Sequence, residues 1–441
     1  MAKFIPDDLS FSDSVTVARA QVSRLRDHIR HCRESSPYYQ RSLAGCSIDA
    51  ASLTLADLQS LPVTTKQDLA EHNDEFLAVP QVMVADIVLT SGTSGEPTRM
   101  AYSETDLRRL GRCEELAMRA TGVSADDTAL LSCTMDRCFV AGLAYYLGLR
   151  AIGSAVIRAG QMPVASLADL IIRTHPTVLV GVPGFLRKLA LALHARGIDV
   201  AGLGVRRLIL IGDALHSATW TPLPVARDLE SLWGAAAHST YATTETVSAC
   251  CECGERRGGH LLPQFALFEI LDDANRPLPH GQQGEVVITP LGVEAMPLIR
   301  FKTVDISFID DAPCPCGRTS PRLGPILGRK SQMIKFKGTT LYPPAVFAAL
   351  GDCPGVEEYC LDILQDEAGL DRLLLHVSLA GSTDSRAAQL HALREALQGR
   401  LRVTPDIVVE PDDVMRSMVY PPDSRKAIRC RDRRGEPAGG H

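Results

Sequence analysis

At 441 residues and a net charge of −6, the chain exceeds what one hydrophobic core organises and lacks the basic field that nucleic acid requires. Apolar residues make up 45% and charged residues 22%, the balance of a soluble globular protein, and no stretch reaches the roughly 20 apolar residues that cross a bilayer. The 13 cysteines are odd in number and follow an N-terminus, Met-Ala-Lys-Phe-Ile-Pro-Asp-Asp, without an apolar signal core, which points to free thiols in a reducing cytoplasm.

In chain order, residues 10–45 carry helical periodicity (Val15, Ala18, Val22, Leu25, Ile29) that ends at Ser35-Ser36-Pro37. Leu61–Leu69 reads as a turn capping the next helix, and Asp86–Leu89 as a short strand. Between 128 and 216, apolar runs at Thr128–Ser132, Ser154–Ile157, Thr177–Val182 and Arg207–Ile211 alternate with helical patterns, as βαβ units around a buried parallel sheet do. Phe265–Leu271, Gly284–Thr289 and Ile306–Asp310 are short strands among turn residues, which predicts an antiparallel subdomain. From Gly328 onward, strands at Tyr359–Leu364, Arg372–Leu379 and 405–410, with a helix at 386–399, predict a small α/β unit. The tail 433–441 reads as frayed.

The most informative stretch is 88–99, Val-Leu-Thr-Ser-Gly-Thr-Ser-Gly-Glu-Pro-Thr-Arg. Gly92 and Gly95 allow a turn with convergent N–H groups, and Thr90, Ser91, Thr93 and Ser94 add hydroxyls, a donor-rich loop suited to a polyphosphate. Tyr-Ala-Thr-Thr-Glu at 241–245, Arg-Phe-Lys-Thr-Val-Asp at 300–305, Gly-Arg-Lys-Ser-Gln-Met-Ile-Lys-Phe-Lys-Gly at 328–338 and Pro-Pro-Asp-Ser-Arg-Lys-Ala-Ile-Arg at 421–429 follow in order. This series resembles the adenylate-forming superfamily of acyl-CoA synthetases, carrier-domain adenylating enzymes and luciferases. Ser-Pro-Tyr-Tyr at 36–39, Leu-Pro-Val-Thr-Thr-Lys at 61–66, Cys-Glu-Cys at 251–253, Met-Pro-Leu-Ile-Arg at 296–300 and Cys-Pro-Cys-Gly-Arg-Thr at 314–319 make it most similar to the phenylacetate–coenzyme A ligase branch.

The resemblance implies an α/β protein. A large N-terminal domain, 1–329, would hold βαβ-type sheets and an antiparallel barrel-like subdomain, and a small mobile α/β domain, 330–441, would carry a catalytic lysine. It implies a two-step reaction, in which a carboxylic acid is adenylated by ATP with loss of pyrophosphate and then passed to the thiol of coenzyme A. Ser91, Gly92, Thr93, Ser94 and Gly95 would hold the β- and γ-phosphates, Thr244 the α-phosphate, and Glu245 a Mg²⁺ ion, a hard cation suited to carboxylate oxygen. Asp305 would accept the ribose hydroxyls, Tyr241 would stack on adenine beside the strip Gly212-Asp213-Ala214, and Arg329 would lie at the joint where the last domain swings. Lys426 would stabilise the charge that develops as pyrophosphate leaves. One wall of the acyl pocket would be Asp136–Tyr145 and another Ala235–His238.

Cysteines and a histidine in this number suit a tetrahedral zinc site, and some members of the branch carry zinc here. The resemblance points to Cys253, His260, Cys314 and Cys316, with Cys251 as the spare, in a structural role. Glu96, where lysine is common, is a departure that Arg99 could offset as a nearby cation; Ala242 and the Gly212–Leu215 segment are others. The expected partners are the small-molecule acid, ATP and coenzyme A, with a carrier protein or a second copy of the chain as further candidates, and neither nucleic acid nor membrane. A carrier phosphopantetheine or an amine as acceptor, or a silent nucleotide-binding scaffold, are the other readings; Glu245, Asp305 and Lys426 together oppose the scaffold.

Overall fold

The computed structural model describes residues 8–46, 49–90, 97–336, 339–351, 353, 355–365, 370–380, 386–401, 403–421 and 427–434. The chain forms two compact units, Met1–Ile326 and Leu327–His441. No helix among the described residues is long and apolar enough to cross a membrane.

In the first unit, α1 (Ser14–Ser35) starts where the Asp13 carboxylate accepts the Thr16 N–H at 2.9 Å, a side-chain cap. Leu25, Ile29 and Cys32 form its buried stripe. Pro37 cannot continue the helix, and it opens α2 (Pro37–Ser42) instead. A capping box of Thr65 and Asp68 starts α3 (Lys66–Glu71), within the Leu61–Leu69 segment read as a capping turn. The hairpin β1 (Val84–Leu89) and β2 (Arg99–Ser103) leads through a second capping box, Ser103 with Asp106, into α4 (Glu104–Ala120).

The main sheet follows, with β3 (Thr128–Leu131), α5 (Val140–Ile152), β4 (Ala155–Arg158), α6 (Val164–Thr174), β5 (Val178–Gly181), α7 (Pro183–Ala195), β6 (Arg207–Ile211), α8 (Pro224–Trp233), β7 (Ala236–Thr243) and β8 (Ser248–Cys251). Its six strands run in the order β4-β3-β5-β6-β7-β8, parallel except for the last pair. Both faces are covered, which is why the strands read as continuous apolar runs. Leu179, Leu208 and Leu210 face α6, α7 and α8, while Leu131, Val180 and Ile209 face α4 and α5.

Short antiparallel strands complete this unit: β9 (Gly259–His260), β10 (Ala266–Leu271), β11 (Gly284–Pro290), β12 (Phe301–Ser307), β13 (Ile309–Asp310) and β14 (Arg322–Leu323). Here the barrel-like expectation takes the form of two small open sheets, one running through β10-β11-β12 and one ordered β13-β14-β9. The strand read at Ile306–Asp310 is broken after Ser307, whose hydroxyl turns to the Gly324 carbonyl at 3.0 Å, and the chain changes sheet there.

The second unit holds β15 (Gly328–Arg329), β16 (Ile334–Phe336), β17 (Thr339–Leu341), α9 (Pro343–Gly351), β18 (Val356–Gln365), β19 (Asp371–Leu379), α10 (Arg386–Leu401), β20 (Asp406–Val409), α11 (Asp412–Val419) and β21 (Cys430–Asp432). A mixed sheet, β20-β19-β18-β21, packs Leu361, Ile363 and Leu375 against α9 and α10 and places Cys360 against α11, the period-two alternation of a strand.

On the sheet, His376 lies between Asp362 (Nε2 to Oδ2, 3.5 Å) and Glu410 (Nδ1 to Oε1, 2.9 Å), and Arg431 forks onto Asp362 at 2.6 and 2.7 Å. The Asp362 hydrogen bond foremost raises the His376 pKa above its ordinary 6.5. Burial would raise Asp362, but His376 and Arg431 outweigh it and hold that carboxyl at about 2. The charged histidine therefore stabilises the fold below pH 6.5, and that stabilisation is lost as pH rises through the raised value; the ionised aspartate stabilises it above its ordinary 3.8, and that contribution is lost as pH falls toward 2. Between about pH 6 and pH 9, where the buried Glu114 of α4 also gives up its proton, the thermal midpoint should fall, and His376→Gln should make that fall shallower by ~2–4 °C. A slope unchanged in the variant would contradict the assignment.

Candidate active site

Ligands of open α/β sheets collect beyond the carboxyl ends of the parallel strands. There Ile211 of β6 is registered against Thr240 of β7, so Gly212 leaves the sheet beside Tyr241, which β7 carries on, paired with Cys250 of β8. Gly212 sits at φ +87°, a conformation that favours glycine, and a side chain added there would meet nothing within 4 Å. The exposed Asp213 and half-buried Ala214 follow, and Leu215 is buried. Tyr241 Oη donates to Asp305 Oδ2 at 2.9 Å, which joins β7 of the main sheet to β12 of the antiparallel one.

The turn carrying Thr244 and Glu245 is held from behind. Tyr102, on β2, donates its hydroxyl to the Thr244 carbonyl at 2.7 Å. Arg109, on α4 and buried, donates Nε to the Leu291 carbonyl at 2.9 Å and its guanidinium nitrogens to the Val247 and Phe265 carbonyls. Val247 has φ +50°, a strained conformation for a β-branched residue, and this anchoring offsets it. Glu245 is buried, and Lys66 Nζ stands 3.7 Å from its Oε1.

A closed ring of hydrogen bonds sets the start of β12. The Ile299 N–H donates to Tyr39 Oη (2.8 Å), the Tyr39 hydroxyl to Thr64 Oγ1 (2.8 Å), and the Thr64 hydroxyl to the Ile299 carbonyl (2.7 Å). The Thr64 hydroxyl has one proton and gives it to Ile299, so Tyr39 is the donor in the middle bond. The ring joins the 36–39, 61–66 and 296–300 segments, and it places Lys66 two residues past Thr64, beside Glu245.

Ser91–Gly95 and Glu96 lie outside the described residues, as does Lys426. At the base of the 91–96 loop, the Thr90 N–H donates to the Thr98 carbonyl (2.9 Å) and the Thr98 N–H to Thr90 Oγ1 (3.0 Å). Arg99 donates to Asn73 (3.1 Å) and forms an ion pair with Asp74 at 2.6 Å, so its charge is already engaged. Arg329 belongs to β15 of the second unit.

Past β8, a second group assembles. The ligand atoms of Cys253, His260, Cys314 and Cys316 all lie within 4.8 Å of one another. Cys253 Sγ is 3.6 Å from Cys314 Sγ, and Cys316 Sγ is 3.3 Å from His260 Nε2. Cys253 and Cys314 do not form a disulfide, and all the cysteines named here are free. Burial lowers the His260 pKa to about 4, which leaves a neutral imidazole, and Nδ1 faces the Ser320 carbonyl (3.2 Å), which aims Nε2 at the thiols. Cys251 is buried in β8 opposite Thr240 and is not in this group.

Residues 40–294 match the family model described as AMP-binding enzyme. The chain belongs to that family. Among curated relatives of this AMP-binding enzyme, the phenylacetate-coenzyme A ligase of Thermus thermophilus is 30% identical over 403 residues, covering 87% of this chain and 88% of the relative. The phenylacetate-coenzyme A ligase of Pseudomonas putida is 28% identical over 365 residues, covering 81% of each. Among solved structures, a 2-hydroxyisobutyryl-CoA ligase in the postadenylation state superposes with a TM-score of 0.82 at 22% identity, over 96% of this chain and 91% of that one, which shows a shared fold.

The family's motifs did not reveal Tyr102 and Arg109, because their contacts with the turn span 142 and 138 residues of sequence. Lys66 stood inside a quoted motif without a role. Replacing Arg109 with Met would leave the buried carbonyls of Leu291 and Val247 without the guanidinium, while the Phe265 carbonyl keeps the Leu291 N–H. The expected loss is ~2–4 kcal/mol of stability, read from the denaturant midpoint; a loss below about 0.5 kcal/mol, the range of ordinary surface substitutions, would contradict the anchoring role.

Proposed function

We propose that this chain is an AMP-forming acid–thiol ligase that adenylates an aromatic or arylacetic acid and transfers the acyl group to coenzyme A. The carboxylate oxygen attacks the α-phosphorus of ATP, the bond to the β-phosphate oxygen breaks, and pyrophosphate departs. The coenzyme A thiolate then attacks the acyl carbon and expels AMP. The observation that carries this reading is the junction of Tyr241, Asp305 and the Gly212 turn at the carboxyl end of the sheet, in a chain of the AMP-binding enzyme family.

In this reading Gly212–Ala214 and Tyr241 flank the adenine, and Asp305, oriented by the Tyr241 hydroxyl, accepts from the ribose. Thr244 meets the α-phosphate, and Ser91–Gly95 the two outer phosphates. Glu245 would hold Mg²⁺, which supplies charge neutralisation along the triphosphate; Lys66 competes with the metal for that carboxylate when the nucleotide is absent. Lys426, from the second unit, stabilises the charge of the departing pyrophosphate, and the Gly328–Ser331 joint lets that unit rearrange for the second step.

The Cys253, His260, Cys314 and Cys316 group would take a structural Zn²⁺. A tetrahedral ion with Zn–S near 2.3 Å sets its sulfur ligands about 3.8 Å apart, close to the 3.6 Å between Cys253 and Cys314. Four protein ligands leave no open position, so the ion would tie the end of β8 to the β13–β14 loop rather than take part in the reaction.

Pyrophosphate exchange across a panel of carboxylic acids, followed by detection of the coenzyme A thioester, tests the reading; exchange with no acid would overturn it. Carrier phosphopantetheine and amines, offered in place of coenzyme A, decide the acceptor. Lys426→Ala should lower exchange by at least ~10³-fold, on the scale of losing a transition-state charge contact, yet spare thioester formation from a supplied acyl-adenylate. Equal loss of both steps would contradict its role. Metal analysis of the purified protein should find about one zinc per chain, in line with a single four-ligand site, and Cys253→Ser should lower both that content and the thermal midpoint. Full zinc content in the variant would argue against the ligand set.

A further inference from the structure

The layer between the main sheet and helices α4 and α5 contains a polar group that the nucleotide site does not use. Glu114, on α4, is 1% exposed, and its Oε2 has no hydrogen-bond partner. Burial lifts this carboxyl to about 8, so near neutrality it is a protonated acid, able to donate and accept. It is also pinned, because a methyl group added at Gly148 of α5 would begin 2.5 Å from Glu114 Cβ. The rest of the layer is apolar, with Met118, Leu131, Leu149, Val180 and Ile209. Tyr145, Cys113, Cys133, Cys250 and Cys251, all buried, bring further polar atoms within electrostatic reach of the carboxyl. A buried carboxyl without a partner is costly, and packing alone would favour leucine or methionine here.

This layer reaches the end of the sheet where the adenylate would form. Cys251 is registered against Thr240 and Cys250 against Tyr241. Cys133 follows β3 and leads to Thr134, whose carbonyl lies 2.3 Å from where a side chain at Gly142 would begin, so α5 crosses close over the strand end. Met135, Ala141 and Ile211 are only half-buried and form the rim, and Ile211 directly precedes Gly212. An apolar layer thus runs from the Gly212–Tyr241 edge down to one unpaired carboxyl.

We infer that Glu114 is a specificity residue at the floor of the acyl pocket, where its carboxyl pairs with a hydroxyl or amino substituent on the far side of an aromatic acid. This rests on the ligase reading above. The carboxyl donates to the substituent oxygen or accepts from its proton, and Tyr145 offers a second hydroxyl nearby. An unsubstituted ring leaves the carboxyl unpaired, and sites built around a buried polar group reject the analogue that lacks its partner.

The test is pyrophosphate exchange by the full chain with phenylacetate and benzoate, and with their hydroxy, amino and methyl derivatives at each ring position. At one position the hydroxy or amino acid should exceed both the parent acid and its methyl analogue in kcat/KM by about 10- to 100-fold, the discrimination expected of one buried hydrogen bond. Glu114→Leu should bring that ratio to near one, and Glu114→Gln, which keeps a donor and an acceptor, should retain part of it. A wild-type enzyme that prefers the parent or methyl acid overturns the inference even if the leucine variant does not fold, and so does a preference that survives in Glu114→Leu. Exchange with no acid at all removes the ligase reading itself, an outcome distinct from either.

Discussion

The hydrogen bond from Tyr241 to Asp305 is the interaction on which the rest of the site depends. Tyr241 lies on β7 of the main sheet and Asp305 on an antiparallel strand 64 residues later, and neither sheet's own hydrogen bonds fix the other. The contact sets where a carboxylate stands relative to the Gly212 turn. It is also charge-assisted, which makes it shorter-ranged in geometry and stronger than a neutral pair. The Tyr39–Thr64–Ile299 ring does similar work one step earlier, since it sets the start of the strand that carries Asp305. Behind the Thr244–Glu245 turn, Arg109 spends its hydrogen bonds on backbone carbonyls, so a buried cation serves as a clamp and needs no carboxylate.

Much of the fold is legible in the sequence because its signals are local. The runs at Thr177–Val182 and Arg207–Ile211 have no polar alternation, which only a strand covered on both faces tolerates, and both lie in the centre of the main sheet. The break at Pro37 and the cap at Thr65 follow from single residues. Strand β12 was harder to read, because Phe301–Ser307 alternates with Lys302 and Asp305 and resembles a polar loop until its partner β11 is in place. Helix α4 is hidden from periodicity because its buried face includes Arg109 and Glu114, which count as polar.

The chemistry-bearing residues divide in the same way. Motif order alone points to Tyr241, Thr244, Glu245 and Asp305, and the structure gathers these at one end of the first unit. What no motif could supply is the set of side chains that act through distance: Tyr102, Arg109, and the approach of Lys66 to Glu245. The cysteine group is intermediate. Composition supplies the thiols and the imidazole, but the β7–β8 register decides which thiol leaves the sheet: Cys251 stays opposite Thr240, and Cys253 emerges next to Cys314.

A double-mutant cycle on ATP binding tests the central claim most directly, using Tyr241→Phe, Asp305→Asn and the pair, with Kd measured by calorimetry. If the phenol acts by orienting the carboxylate, each single change weakens ATP by about tenfold or more and the pair costs little beyond Asp305→Asn alone, a coupling of at least ~1 kcal/mol. Strictly additive losses would mean that the two side chains meet the nucleotide independently and that their hydrogen bond does not organise the site.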